Sequence, residues 1–356
     1  MSMPAALSDD QRLDALLANL EIMSPVQFRV GGGPLMNATS VPRHATPLQS
    51  QNGARDGLTV QLRDALASVV YFVAYSRVYE GGPFDLEAQQ WHLSHDASFC
   101  TGLRAHNPTI ARSEPGWKVF QLEQNGAIHV QKGESATMLQ QGRYAFPGGY
   151  ARIPMIGEFV EIPVVPDSLT EQAGSYFAFG DTIASDYDFA RLTRFYFNAA
   201  ADEASWLLTT VGTLFNRYLI PYRFKCSVDP AGYNRTDSVV VYLARRFLPI
   251  ALRLLAPLRD EIAARLRPGT PLFSAPLLDG MGGADDPASG ESFGQSRSRL
   301  IADGIVDAWE AGHADPAGRR AAVEARFSTR GISLQHPYLA QGLVDLYGWP
   351  AVRGAT

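Results

Sequence analysis

Hydrophobic and polar positions alternate most regularly between residues 191 and 246. RLTRFYFN reads as a strand at 192–198, with Arg194 and Tyr196 leaving one face. YRFKCSV reads as a second strand at 222–228, with Arg223 and Lys225 on one face and Phe224 and Cys226 on the other. Between them, ADEASWLLTTVGTLFNRY has the period of a helix near 201–217. Two such strands, if adjacent, gather Arg194, Arg223 and Lys225 into a basic patch, which needs an anion.

The same reading extends along the chain. Residues 9–24 form an amphipathic helix with Leu13, Leu16, Leu17 and Leu20 on one face. Residues 27–57, rich in Gly, Pro, Asn, Ser and Gln, read as a loop or flexible linker. A helix covers 58–79 and stops at Glu80-Gly81-Gly82-Pro83. Another is predicted over 84–105, with His92, His95 and His106 on or near it. Residues 116–139 alternate around Asn125-Gly126, a hairpin signal. Short strands are predicted at 175–179 and from 238, and a helix at 249–266 with a kink at Pro257. Residues 279–290 read as a flexible glycine-rich loop, followed by a helix opening near Ser292 and another over 316–327. The fold class is α+β: a helical N-terminal region over 1–110, then a strand-rich central core with flanking helices over 111–350.

Composition narrows the function. The 356 residues are 46% hydrophobic and carry a formal charge of -5, which argues against a nucleic-acid partner. No stretch reads as long and apolar enough to span a bilayer; the strongest candidate, 247–258, is short and contains arginine and proline. The acidic N-terminus lacks an export leader, so a cytoplasmic location is expected. Two cysteines build neither a disulfide framework nor a metal centre, and His92 and His95 have no visible third ligand, so neither metal nor cofactor is expected. Lys118, Lys132 and Lys225 are the chain's lysines, the only amine side chains that can act as a neutral base among so many arginines. GGGP at 31–34 has neither a phosphate-loop lysine nor dinucleotide spacing, and no kinase signature set is present.

GWKV…NG…VQKG, SYFAFGD, RFYFN, PYRFKCSVDPAGYNRTDSVVVY, PLF and SFGQSRSR occur in that order over 116–299. This order resembles the HopA1-like family, named after a type III secreted effector. Relatives with the pattern occur in bacterial clusters that make ribosomal peptides, including class V lanthipeptides and thioviridamide-like compounds. The resemblance implies a lyase that removes phosphate from phosphoserine or phosphothreonine in a precursor peptide, leaving dehydroalanine or dehydrobutyrine. It also implies a substrate with a leader, a kinase-like partner that installs the phosphate, and a HopA1-like catalytic domain over 111–350.

Such an elimination needs a base for the α proton, cations for the phosphate, and optionally an acid for the leaving oxygen. Lys225 is the first candidate base because neighbouring cations and burial favour a neutral amine; Lys132 is the competitor. Arg194, Arg235 and Arg297 form the expected phosphate clamp, with Arg223 in reserve, each having an ion pair with Asp181, Asp186 or Asp237 as its alternative role. Asp237 is expected to orient Arg235 or Lys225. Tyr196, Tyr233 and Asn198 are candidates for contacting the peptide carbonyl or the phosphate, and His95, His106 or Tyr233 for the acid. The loop at 279–290 would close over the substrate. The competing function is a non-catalytic phosphopeptide-binding or assembly subunit working with a kinase partner.

Overall fold

The computed structural model describes residues 7–41, 57–86, 94–147, 152–287 and 289–350. The chain opens with α1 (Asp9–Asn19), capped by Ser8, whose side chain accepts from Gln11 N. The helix ends at Asn19, and β1 (Leu20–Ser24) follows without a break. β2 (Gln27–Val30) and β3 (Met36–Asn37) complete a small antiparallel sheet. The linker expected from 27 is therefore corrected: pairing with β1 and burial of Phe28, Val30 and Met36 outweigh its turn-rich composition. Residues 42–56 of that segment lie outside the described residues.

α2 (Gly57–Val70) continues as a π-helical turn over Tyr71–Tyr75. By length and mean hydropathy, 1.2 over a window of this 19-residue helix, Gly57–Tyr75 is long and apolar enough to cross a bilayer, which corrects the sequence reading. However, 67% of that window is buried inside the protein, where it packs on the C-terminal helices. α3 (Ala97–His106) begins only after Asp96, whose side chain caps it, so the helix predicted from 84 is shorter; His92 lies outside the described residues.

β4 (Arg112–Leu122), β5 (Ile128–Lys132), β6 (Ser135–Leu139) and β7 (Phe159–Val164) form a four-stranded antiparallel sheet in the order β6-β5-β4-β7. The hairpin turn forms as predicted, with Gly126 at φ 83°.

The central sheet has seven strands. β8 (Asp167–Ser168) and β9 (Ser175–Phe179) lead into α4 (Asp186–Phe189) and β10 (Leu192–Phe197). α5 (Ala204–Arg217), β11 (Tyr222–Ser227), β12 (Val239–Ala244), α6 (Leu248–Leu255) and α7 (Arg259–Arg265) follow, with the predicted break at Pro257. β13 (Ala275–Leu278) and β14 (Met281–Asp285) form the far edge, and α8 (Phe293–Glu310) and α9 (Pro316–Thr329) close the fold. The strand order is β13-β14-β10-β12-β11-β9-β8, antiparallel throughout.

Two cores sandwich this sheet. Phe195, Phe197, Phe224, Val239 and Val241 face Leu207, Leu208, Val211 and Phe215 of α5 and the apolar face of α6. On the opposite face, Tyr196, Val240 and Ala284 join a core built from α1, α2, α8 and α9. Arg63 of α2 reaches Asp307 and Glu310 of α8 at 2.8 Å, and Arg12 of α1 donates to the carbonyls of Ala74 and Thr270 at 3.0 Å. The N-terminal helices thus share one core with the C-terminal ones.

The loop predicted at 279–290 is corrected over its first half, where β14 pairs with both β10 and β13. Its glycines reflect space rather than freedom. A Cβ on Gly282 would stand 2.3 Å from Ser274 Oγ, and one on Gly283 would stand 2.7 Å from the Tyr347 ring. A paired strand cannot serve as the closing lid expected there.

Candidate active site

β12 lies between β10 and β11, so the two arginine-bearing strands are not neighbours. Register nevertheless aligns their faces. Arg194 pairs with Tyr242, which pairs in turn with Arg223; Tyr196, Val240 and Lys225 form the next row. The cations therefore stand on one face of the sheet, spaced by Tyr242 and Val240.

A polar cavity of about 350 Å³ covers part of this face. Arg194, Lys225 and Tyr242 form its floor, Tyr71 one wall, and Ser292 and Gln295 another; Asp286 and Glu291 also line it. Ser292 Oγ accepts from Gln295 N at 3.3 Å and Gln295 Oε1 accepts from Ser292 N at 2.9 Å, a reciprocal cap on the 18-residue helix α8. Two residues of the α8 N-terminus thus line the cavity, at the end of a helix that favours an anion.

Lys225 is held there by the strand, with its ammonium 5.9 Å from the Phe177 ring centroid. Burial pulls its pKa down to about 8; the Asp237 carboxylate opposes the shift, while Arg235 and Arg194 deepen it. Asp237 is itself engaged by Arg235 through Nε and Nη2, at 2.8 and 2.9 Å. Arg235 Nη2 also donates to the Tyr71 hydroxyl at 2.9 Å. Burial pushes that hydroxyl up to about 12, with the Arg235 charge pulling the other way. Tyr71 therefore keeps its proton at neutral pH, and its oxygen accepts from a guanidinium, which leaves the O–H to donate into the cavity. Arg194 is 8% exposed, pairs with Asp286 through Nη2, and has a buried Nε with no partner among the described residues. Its guanidinium lies 5.2 Å from the Tyr242 ring centroid.

Of the residues singled out from the sequence, Lys225 and Arg194 line the cavity, and Arg235 and Asp237 stand beside it. Arg223 lies in an adjoining cavity, its guanidinium 4.4 Å from the Phe189 ring centroid. Others lie elsewhere. Arg297 is 1% exposed, and its Nε and Nη2 donate to the carbonyls of Pro337 and Leu339 at 2.7 and 3.0 Å, so its fork fastens the C-terminal segment instead of an oxyanion. Tyr196 is buried among Tyr75 and Phe293. Asn198 Nδ2 donates to the carbonyls of Pro268 and Gly269. Tyr233 packs on Phe99 in the core behind the sheet, away from the cavity. Lys132 sits on the four-stranded sheet, its ammonium 2.8 Å from Glu114. His95 and His106 are exposed, with His106 Nδ1 2.8 Å from the Gly102 carbonyl at the end of α3. Arg297, expected in the clamp, Lys132, the competing base, and His95, His106 and Tyr233, candidates for the acid, are not among the residues that line the cavity.

Tyr71, Tyr242, Asp286, Ser292 and Gln295 line the cavity without having been singled out as site residues. The Ser292-x-x-Gln295 spacing is a legible capping box, and Tyr242 follows from alternation once β12 is known to be central. Nothing in the sequence announces Tyr71, which sits in the long apolar run of α2 and its π-helical turn. Among the described residues no group of three or more His, Cys, Asp or Glu side chains is placed to hold a metal ion.

Residues 167–339 match the HopA1 effector protein family. The match runs from β8 past α9, just under half the chain, and includes Arg194, Lys225, Arg235, Asp237, Tyr242 and the α8 N-terminus. Tyr71 lies outside it. Two solved effector structures are similar to the chain. That from Pseudomonas syringae pv. tomato strain DC3000 has 16% identity and a TM-score of 0.44, covering 78% of this chain and 90% of the effector. That from Pseudomonas syringae pv. syringae strain 61 has 16% identity and a TM-score of 0.41, covering 77% and 89%. No curated protein matches the chain.

Proposed function

We propose that this protein is a metal-independent phosphoserine/phosphothreonine lyase acting on a phosphorylated peptide. One observation carries the reading: an amine whose pKa is drawn down to about 8 shares a cavity with a buried arginine and the N-terminal end of a long helix. A phosphate held by Arg194 and the α8 N-terminus would bring the α carbon of its residue toward Lys225. Lys225 Nζ takes the α proton. The electron pair of that C–H bond forms the new double bond, the C–O bond to phosphate breaks, and phosphate leaves with the electron pair of that C–O bond. The Tyr71 hydroxyl is the donor best placed to meet the leaving oxygen. Arg235 holds Tyr71 and adds positive field, while Asp237 orients Arg235.

In the biosynthetic setting implied by the family resemblance, the substrate is a ribosomal precursor with a leader, phosphorylated by a kinase-like partner in the cytoplasm. The test is to incubate purified protein with a phosphothreonine peptide and a chelator, and to read intact peptide mass. Loss of phosphoric acid supports the reading. Loss of phosphate with water retained identifies a phosphatase and contradicts it. A peptide that binds yet stays unchanged points to the non-catalytic binding subunit.

A further inference from the structure

The polar cavity continues into a second one of about 510 Å³, with which it shares Arg194, Tyr242 and Asp286. The second cavity lies between the central sheet and β7 of the four-stranded sheet, with α4 at its rim. α4 is tied across this gap: Ser185 Oγ donates to the Ala136 carbonyl at 3.0 Å, and Asp186 accepts from Thr137 Oγ1 at 3.0 Å. Where the first cavity is polar, this one is walled by Phe177, Phe179, Phe189, Ile183 and Val164.

Register fixes its relation to the chemistry. Lys225 pairs with Phe177 and Arg223 with Phe179, so the two rows are two strand positions apart. That is about 7 Å along the strand. An extended peptide repeats its side chains on one side at the same interval. A phosphorylated residue presented to Lys225 therefore sets the side chain two positions away over Phe179 and Phe189. Arg194 and Arg223 line the same cavity as Glu171 and Asp286, so its charges are of both signs, and an acidic side chain there would still lose its hydration among aromatic rings.

We propose that this second cavity is the specificity subsite of the site described above, taking a large apolar side chain two residues from the phosphorylated one in an extended peptide. The proposal rests on the lyase reading for its substrate, but binding tests it separately. Fluorescent phosphothreonine peptides carrying Leu, Gly or Asp at the −2 or +2 position are titrated against the protein by anisotropy, and their elimination is followed by mass. Burying a leucine stabilises binding enough for a preference of tenfold or more over Gly at one of the two positions, with Asp below Leu. Phe189 is 40% exposed, so Phe189→Ala leaves the core intact. This variant should cut the leucine preference several-fold while the Gly peptide binds as before. Equal binding of the Leu, Gly and Asp peptides overturns the subsite, as does a preference untouched by Phe189→Ala. Elimination without preference removes the subsite and keeps the lyase; preference without elimination keeps the subsite and removes the lyase.

Discussion

A lysine amine ordinarily titrates near 10.5, and in this protein burial draws Lys225 down to about 8. Two consequences follow at this residue. At pH 7 roughly a tenth of the molecules carry the neutral amine. Elimination should therefore rise about tenfold per unit below pH 8 and level off above it. A rate profile flat from pH 6 to 9 would remove Lys225 as the base. The second consequence is for stability. The folded protein binds fewer protons than the unfolded chain between pH 8 and 10.5, so stability rises with pH across that window and the full penalty applies below it. Lys225→Met removes the penalty and should stabilise the protein at pH 7 by about 1–3 kcal/mol in denaturant unfolding. A destabilised variant would mean the amine is not desolvated. The sequence made Lys225 legible through strand alternation and the scarcity of lysine. The surroundings of Arg297 were not legible, because a helix start looks alike whether its arginine faces an anion or, as here, the carbonyls of Pro337 and Leu339.

Elements with strong periodicity were legible, including α5, β9, β10, β11 and the break at Pro257. Those chosen for space were not. β14 reads MGGAD, and its glycines look like a loop because the sequence does not reveal Ser274 or Tyr347 pressing against them. The strand supports the floor of the cavity by pairing with β10. Gly283→Ala should push the Tyr347 ring away and lower stability by about 1–3 kcal/mol in thermal or denaturant unfolding. An unchanged midpoint would show that the contact relaxes freely. Likewise β12, which spaces Arg194 from Lys225, is placed by sheet order, which alternation alone does not reveal.

Across the whole molecule, the helical N-terminal region and the C-terminal helices cover one face of the sheet together. Tyr71 reaches the cavity from outside the stretch that matches the effector family. A chain cut to residues 111–350 exposes the apolar surfaces of α8 and α9 along with Tyr196, Val240 and Ala284. It should lose the cooperative thermal transition of the full chain. A sharp transition at the original temperature would show that residues before 111 are dispensable to the core.

The most direct test of the account is a single-turnover comparison of the full chain and Lys225→Ala with one phosphothreonine peptide at pH 8, reading binding by anisotropy and product by intact mass. Lys225→Ala should bind within a few-fold of the full chain and form dehydrated product at least a hundred times more slowly. Dehydration at the original rate by Lys225→Ala would contradict it.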